Sequence, residues 1–447
     1  MARQIPLAPS APWFRLELDE ADWSEEQARD LVHWYGQMLL IRRFEEKLLD
    51  LEKAGLIHGP AHASIGQEAG AVGAMAALGT DDKINGTHRA HHQVLLKLLN
   101  PSVPDGFDIR KDTFTPGMDE AIYRFMAEIM GLTPGYCGGR GGSMHMRFAG
   151  AGVVGTSAIV GGNPPHAAGY ALADKMLGRD HISVAFFGDG AAQNGASYEA
   201  MNIAAAQGLP VIFFIENNLY GVSTHISDVT RETRLSSRGA MLGVAAIECD
   251  GMDVVAVHRA MTEARRIIRE TGGPVVIEAL CYRHFHQSGS RSGSDFGYRT
   301  KEEETAWRAR DPIALAEARL TALGLLSPEE FAQIDARVTD RVAAAAGKLT
   351  EPVPGGNTLR IPDSLWPDPA TRDHGILGDL SELADKRFLD HDDMRPDAVE
   401  KVKFVTAASE TLAAAMARDP RIIVMGEDAH QMRGGVSGFT KGVLERW

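Results

Sequence analysis

Residues 182–190, Ile182-Ser183-Val184-Ala185-Phe186-Phe187-Gly188-Asp189-Gly190, form a continuous apolar run that ends in a carboxylate between two glycines. A second run, Pro210-Val211-Ile212-Phe213-Phe214-Ile215, ends in Glu216-Asn217-Asn218. Runs that are apolar at every position fit strands buried on both faces of a parallel sheet. The segment from Gly195 to Gln207 between them reads as a helix, so the whole stretch is strand, helix, strand. A right-handed crossover of this kind brings both strand ends to one edge of the sheet, where open α/β sheets bind their ligands. Asp189 and Asn218 can therefore converge on one ion. Magnesium takes near-octahedral oxygen ligands and shares them readily with a diphosphate. One carboxylate, one amide oxygen, the nearby main-chain carbonyl of Tyr220 and two diphosphate oxygens would nearly fill that shell. The glycines admit phosphate to the backbone, and the following helix offers its N-terminal amides. Gly-Asp-Gly alone is a turn and Asn-Asn alone a loop; their spacing on consecutive strands is what points to a site.

Working outward, Pro274-Val275-Val276-Ile277-Glu278-Ala279 is a third strand-like run. Glycine-rich loops and helical segments alternate with such runs from residue 56 to 290, which predicts an α/β fold, a parallel sheet with helices on both faces. Upstream, Ser24 and Gln27 have capping-box spacing, and Leu31, Trp34, Met38, Ile41, Phe44, Leu48 and Leu51 recur at helical intervals until Gly55. Ser327-Pro328-Glu329-Glu330 starts a helix that runs into the alanines near 345, and prolines from Pro352 to Pro369 mark a linker. Val402–Thr406 and Arg421–Met425 read as strands around a helix from Ser409 to Arg418. The expected organisation is a 1–55 N-terminal segment and helix, a 56–350 domain holding the site, a 351–400 linker, and a 401–447 stretch that begins a second α/β domain and stops before closing a core. Phe148–Ala173 lacks Asp, Glu, Lys and Arg, but with its glycines and Pro164-Pro165 it is read as buried loop and core.

The chain has 447 residues, 44% hydrophobic and 24% charged, enough apolar material for a globular protein. Its 46 basic and 60 acidic residues give a net charge of −14, which disfavours nucleic acid as a partner. Three scattered cysteines suggest neither a disulfide framework nor a zinc knuckle, so a reducing, cytoplasmic setting is expected. No leader and no membrane span are expected.

The Gly188-Asp189-Gly190 and Glu216-Asn217-Asn218 pair resembles the thiamine diphosphate signature. The wider match resembles the alpha subunit of 2-oxo acid dehydrogenase complexes, of the pyruvate and acetoin dehydrogenase type. It includes Ile65-Gly66-Gln67-Glu68-Ala69, Thr87-His88-Arg89, Gly138-Gly139-Arg140-Gly141-Gly142-Ser143-Met144-His145, Ile159-Val160-Gly161-Gly162 and Tyr298-Arg299-Thr300-Lys301-Glu302-Glu303. From Val402 onward the chain resembles the start of the family's beta subunit, with a transketolase-like, pyrimidine-binding domain. The resemblance implies that Asp189 and Asn218 hold Mg2+ through side chains and Tyr220 through its carbonyl. It implies that Gly190 and Ala191 cradle the diphosphate, that His88 and Arg89 reach the cofactor, and that Ala158 and Val160 hold the aminopyrimidine through their backbones. His62 matches a position facing the substrate. Tyr282 to Arg291 matches a mobile active-site loop, where the family has histidine at the position of Gln287 and His286 stands one residue away as a substitute.

The implied activity is thiamine diphosphate-dependent oxidative decarboxylation of a small, pyruvate-like 2-oxo acid, with acyl transfer to the lipoyl group of a partner acyltransferase. A complementary beta-type domain or subunit would supply the activating glutamate, since Glu427 precedes the matching position; an oligomer follows. Three alternatives stand beside this reading. One is an acetoin dehydrogenase component, and another a truncated, non-catalytic subunit. The third is a metallohydrolase built on His58 with His62 and His88 with His92, pairs at helical i, i+4 spacing.

Overall fold

The computed structural model describes residues 7–368 and 401–420, together with 422, 424, 434, 438–443 and 446. The apolar runs of the sequence become strands: β1 (Trp13–Arg15), β2 (Lys83–Thr87), β3 (Val153–Ser157), β4 (Ser183–Gly188), β5 (Val211–Asn217), a small hairpin of β6 (Tyr220–Gly221) and β7 (Thr224–His225), then β8 (Ala245–Asp250) and β9 (Val275–Leu280). Seven of them form one sheet in the order β1-β8-β9-β5-β4-β2-β3, with every pairing parallel. A short antiparallel pair, β10 (Glu351–Pro352) with β11 (Leu359–Arg360), lies apart from it.

The helices are α1 (Glu20–Glu25), α2 (Ala28–Lys53), α3 (Glu68–Ala76), α4 (His91–Leu99), α5 (Pro116–Ile129), α6 (Asn163–Met176), α7 (Gly195–Gln207), α8 (Ile226–Val229), α9 (Ser237–Met241), α10 (Val254–Thr271), α11 (Lys301–Arg308), α12 (Pro312–Ala322), α13 (Pro328–Leu349) and α14 (Phe404–Arg418). Successive strand residues point to opposite faces, so Val184, Phe186, Ile212 and Phe214 join one core with α2, α3, α4, α5 and α10. Ala185, Phe187, Phe213 and Ile215 join the other with α6 and α7. The three central strands are largely apolar because helices cover both faces. Two compact units divide the chain, Met1–Trp366 and Pro367–Trp447.

Several local expectations change. Ser24 does not cap the long helix: it lies inside α1, its hydroxyl donating to the Ala21 carbonyl at 2.6 Å. Asp19 and Asp22 form the reciprocal box that starts α1, and Gln27 precedes α2 without a side-chain cap bond. A carboxylate is both a good N-cap acceptor and favourable near the positive helix end. The Ser327 and Glu330 box does form, at the start of α13. Within Phe148–Ala173 the chain makes β3 and then α6, with Pro164 and Pro165 in the helix's first turn, where a missing N–H costs nothing. Ile159 and Val160 between them are exposed rather than buried. The strand expected at Val402–Thr406 is not formed, because α14 begins at Phe404; the alanine-rich stretch behind it carries the helix over Val405 and Thr406. The strand expected at Arg421–Met425 lies largely outside the described residues. Among the described residues no helix is long and apolar enough to cross a membrane.

Candidate active site

The parallel sheet decides which loops meet. His88 and Arg89 follow β2, Ala158 and Val160 lie just beyond β3, Asp189, Gly190 and Ala191 follow β4, and Asn218 and Tyr220 follow β5. These four strands are consecutive in the sheet, β5-β4-β2-β3. Every residue expected to touch the cofactor therefore lies at one carboxyl edge. From β2 the chain moves to β3 on one side, and from β4 to β5 on the other, so the loops part between β2 and β4. That is the switch point at which open α/β sheets form a crevice.

Asp189 is buried, and the main-chain N–H of Asn218 donates to its carboxylate, so the loops after β4 and β5 meet at this bond. Burial raises the Asp189 carboxyl to about 6, against the opposing effect of Arg283 and main-chain donors. Leu219 and Val222 have φ of 71° and 55°, conformations that side chains other than glycine rarely adopt. Such strain costs on the order of 1–3 kcal/mol per residue and collects where a loop must hold a set shape. Here it turns the chain between Asn218 and the Tyr220 to His225 hairpin. A Cβ added at Gly190 would lie 3.8 Å from the Gly221 Cα, which puts the two loops within ordinary contact distance of each other.

Arg89 is buried and carries its charge without a carboxylate. Its guanidinium donates to the carbonyls of Ala63 at 2.6 Å and Gln287 at 3.0 Å, and to Gln287 Oε1 at 3.2 Å. Burial, with Arg283 nearby, lowers its pKa to about 9. His88 lies 3.1 Å from Gln287 Nε2 and stands edge-on to the His62 ring at 4.6 Å. Burial and the Arg89 charge lower His88 to about 3 and His62 to about 2, so both imidazoles are neutral at physiological pH. The loop residue that reaches His88 and Arg89 is Gln287. His286 instead stacks on Phe296 at 4.1 Å and bonds the Tyr298 hydroxyl at 3.0 Å.

Sequence reasoning did not single out the two arginines behind this loop. Arg283 donates to the carbonyls of Val222 and Phe285, joining the Asn218 loop to the 283–298 segment. Arg299 donates to the Arg283 carbonyl at 2.8 Å and lies over the rings of Tyr282 and Tyr220 at 4.3 and 4.6 Å. Its Nε and Nη2 have no hydrogen-bond partner among the described residues. Arg283 and Arg299 thus act on both the Asp189 carboxylate and the Arg89 guanidinium, all of them buried.

Two buried carboxylates shape the rest. Glu45 of α2 accepts from Ser64 N–H at 2.9 Å, Ser64 Oγ at 2.6 Å and His91 Nδ1 at 3.0 Å, and these partners outweigh burial to hold its pKa below the ordinary range. Glu128 of α5 accepts from the main-chain N–H groups of Cys137, Gly139, Gly141 and Gly142, which folds the glycine-rich loop around it. A signal for Glu45 existed: it interrupts the apolar stripe of Ile41, Phe44 and Leu48. Glu128 carried none. His91 is tied to Glu45, and His92 to Glu216 at 2.8 Å. Among the described residues no group of three or more His, Cys, Asp or Glu side chains is placed to hold a metal, so the histidine-based metallohydrolase finds no support.

Residues 107–353 match the family model described as dehydrogenase E1 component. Over 327 residues the chain is 39% identical to the pyruvate dehydrogenase E1 component subunit alpha of Rhizobium meliloti, covering 73% of this chain and 86% of that one. This chain belongs to the dehydrogenase E1 component family. Other E1-type relatives include the alpha subunit of acetoin:2,6-dichlorophenolindophenol oxidoreductase of Bacillus subtilis, 35% identical over 72% of this chain and 88% of that one. The somatic mitochondrial pyruvate dehydrogenase E1 alpha subunit of Homo sapiens is 36% identical, over 71% and 75% respectively. The E1 family match extends across the strand ends that carry Asp189, Asn218 and the 283–298 loop.

Proposed function

We propose that this chain is the diphosphate-binding component of a thiamine diphosphate-dependent 2-oxo acid dehydrogenase. The carrying observation is the switch point between β2 and β4, where buried Arg89, bonded among the described residues to neutral acceptors, and buried Asp189 follow strands adjacent in the sheet. The residues suit the group: unneutralised guanidinium charge for a diphosphate, and a carboxylate and an amide oxygen for Mg2+. Asp189, Asn218 and the Tyr220 carbonyl would hold the ion; Gly190, Ala191, His88 and Arg89 the diphosphate; the backbones of Ala158 and Val160 the aminopyrimidine. When bound, the cofactor supplies the electron sink that decarboxylation of a 2-oxo acid needs.

The chain's own residues bind and orient. Neutral His62, whose Nδ1 has no partner among the described residues, faces the substrate and can hold or pass a proton there. His286 is fixed by Phe296 and Tyr298, so its part is to shape the loop, while Gln287 holds His88 and Arg89. The substrate is a small 2-oxo acid such as pyruvate, ahead of the hydroxyketone acetoin, in keeping with the order of identity among the relatives. The acyl group passes to a lipoyl-bearing acyltransferase. Residues 401–447 begin a pyrimidine-binding domain joined through 351–400 to the 56–350 domain, and a beta-type domain or subunit completes the site in an oligomer.

Calorimetric titration with thiamine diphosphate and Mg2+ tests this. Wild type is expected to bind, and Asp189→Ala to bind at least 10- to 100-fold more weakly, about the loss seen even for outer-sphere partners of a metal. Equal affinity for both proteins would defeat the metal assignment. No decarboxylation of pyruvate or acetoin cleavage after mixing with a beta-type subunit would defeat the activity.

A further inference from the structure

Glu216, near the end of β5, is a buried carboxylate, and among the described residues no Lys or Arg is paired with it. Oε1 lies 2.8 Å from His92 Nε2 and accepts from Gln67 Nε2 at 3.2 Å, and Oε2 accepts from Gln93 Nε2 at 2.9 Å. Gln67 accepts in turn from Asn218 Nδ2, at 3.3 Å. All five side chains are buried. Both Glu216 oxygens accept from amide NH2 groups, and an amide whose NH2 faces an acceptor has its carbonyl oxygen on the other side. Gln67 therefore turns its carbonyl oxygen away from Glu216 and towards Asn218. That oxygen also only accepts, so Asn218 must turn its own NH2 towards Gln67. The Asn218 oxygen is left on the opposite side. There, among the described residues, it meets a long 3.4 Å bond from the Tyr220 N–H, leaving a lone pair for a ligand.

We infer that Gln67 is a positioning residue, which passes the orientation set by Glu216 to Asn218 and so presents the Asn218 carbonyl oxygen, not its NH2, to a divalent cation. This rests on the proposed metal site. The geometry of Gln67 is itself over-determined. Its main-chain N–H bonds the Ser64 carbonyl at 2.9 Å. Gly66 before it has φ 101°, and a Cβ there would lie 2.3 Å from the Tyr282 carbonyl oxygen. The Gly66 N–H is held by Glu68, which Arg42 pairs at 2.6 Å. A wrongly turned Asn218 would aim two N–H donors at the cation, so the relay excludes a repulsive state as well as favouring the binding one.

The probe is Mn2+ in the presence of inorganic diphosphate, titrated by electron paramagnetic resonance, with no turnover involved. Gln67→Met keeps the length and removes the amide; it is expected to weaken Mn2+ at least 10-fold, the lower end of losses from outer-sphere changes. The decisive comparison is Gln67→Met in the background of Asn218→Asp. A carboxylate offers oxygen whichever way it turns, so there the same substitution should change Mn2+ affinity less than about 3-fold. An equal loss in both backgrounds, or no loss in the first, overturns the inference while leaving the metal site intact. Wild type failing to bind Mn2+ with diphosphate overturns the metal site and the inference with it. Gln67→Ala gives the same comparison should Gln67→Met not fold.

Discussion

Gln287 engages Arg89 twice, through its carbonyl at 3.0 Å and its side-chain oxygen at 3.2 Å from the same guanidinium nitrogen. Both acceptors are neutral, so the arginine is oriented without being neutralised, and its charge stays available to an anion. Gln287→Glu would place a carboxylate against that guanidinium at nearly unchanged size. A charge-assisted pair is roughly twice as strong as a neutral hydrogen bond, so the variant is expected to bind inorganic diphosphate with Mg2+ at least 10-fold more weakly by calorimetry. Unchanged affinity would mean that Arg89 does not face the anion.

Glu303 accepts from the Tyr220 hydroxyl at 2.9 Å and the Tyr282 hydroxyl at 2.8 Å, one from the Asn218 loop and one from the start of the 283–298 loop. Glu303→Gln leaves a single acceptor oxygen for two donors. Losing one such bond costs about 1–2 kcal/mol, so hydrogen exchange of residues 283–298 should speed up by about tenfold. Exchange at the wild-type rate would show that the two loops are held together by other contacts.

Four main-chain N–H groups converge on Glu128. An amide in its place would turn an NH2 towards some of those donors and leave them unpaired. Glu128→Gln is expected to lower unfolding stability by about 2–4 kcal/mol in urea, since buried bonds to a charged group contribute about 1.5–3 kcal/mol each. A loss under about 1 kcal/mol would mean the glycine loop shapes itself.

Burial and Arg89 depress His62 from its ordinary 6.5 to about 2. The unfolded chain therefore takes up a proton as pH falls below 6.5 while the folded chain does not, and stability is lost progressively towards the folded value. For one such group the loss between about pH 6.5 and 5 is about 2 kcal/mol. His62→Gln removes that contribution, so its melting temperature should fall less steeply than wild type over this range. Parallel curves would contradict a neutral, buried His62.

Identities within the site were legible in the chain because β4 and β5 are nearly continuous apolar runs that carry their chemistry at their ends. Gly188-Asp189-Gly190 and Glu216-Asn217-Asn218 mark strand termini, and a right-handed crossover leaves one way to bring them together. The register of β4 with β5, Gly188 opposite Glu216, is what that pattern demands. Local rules failed where two signals competed. Ser24 had the spacing of a cap, but Asp19 offered the better acceptor; Phe404-Val405-Thr406 has strand propensity, but the alanines behind it extend the helix.

Sequence alone determined the α/β class, the strand ends and the family to which the chain belongs. Tertiary structure alone decided how the polar groups at those ends are oriented. Whether Asn218 shows oxygen or nitrogen to the site depends on Gln67 and Glu216, the latter joined by His92 from a separate helix. Whether position 286 or 287 reaches Arg89 depends on which way an irregular loop turns. Burial periodicity is written along a strand or helix. Hydrogen-bond direction arises only where groups distant in the chain meet away from water, because there each donor must find an acceptor and each acceptor fixes its donor.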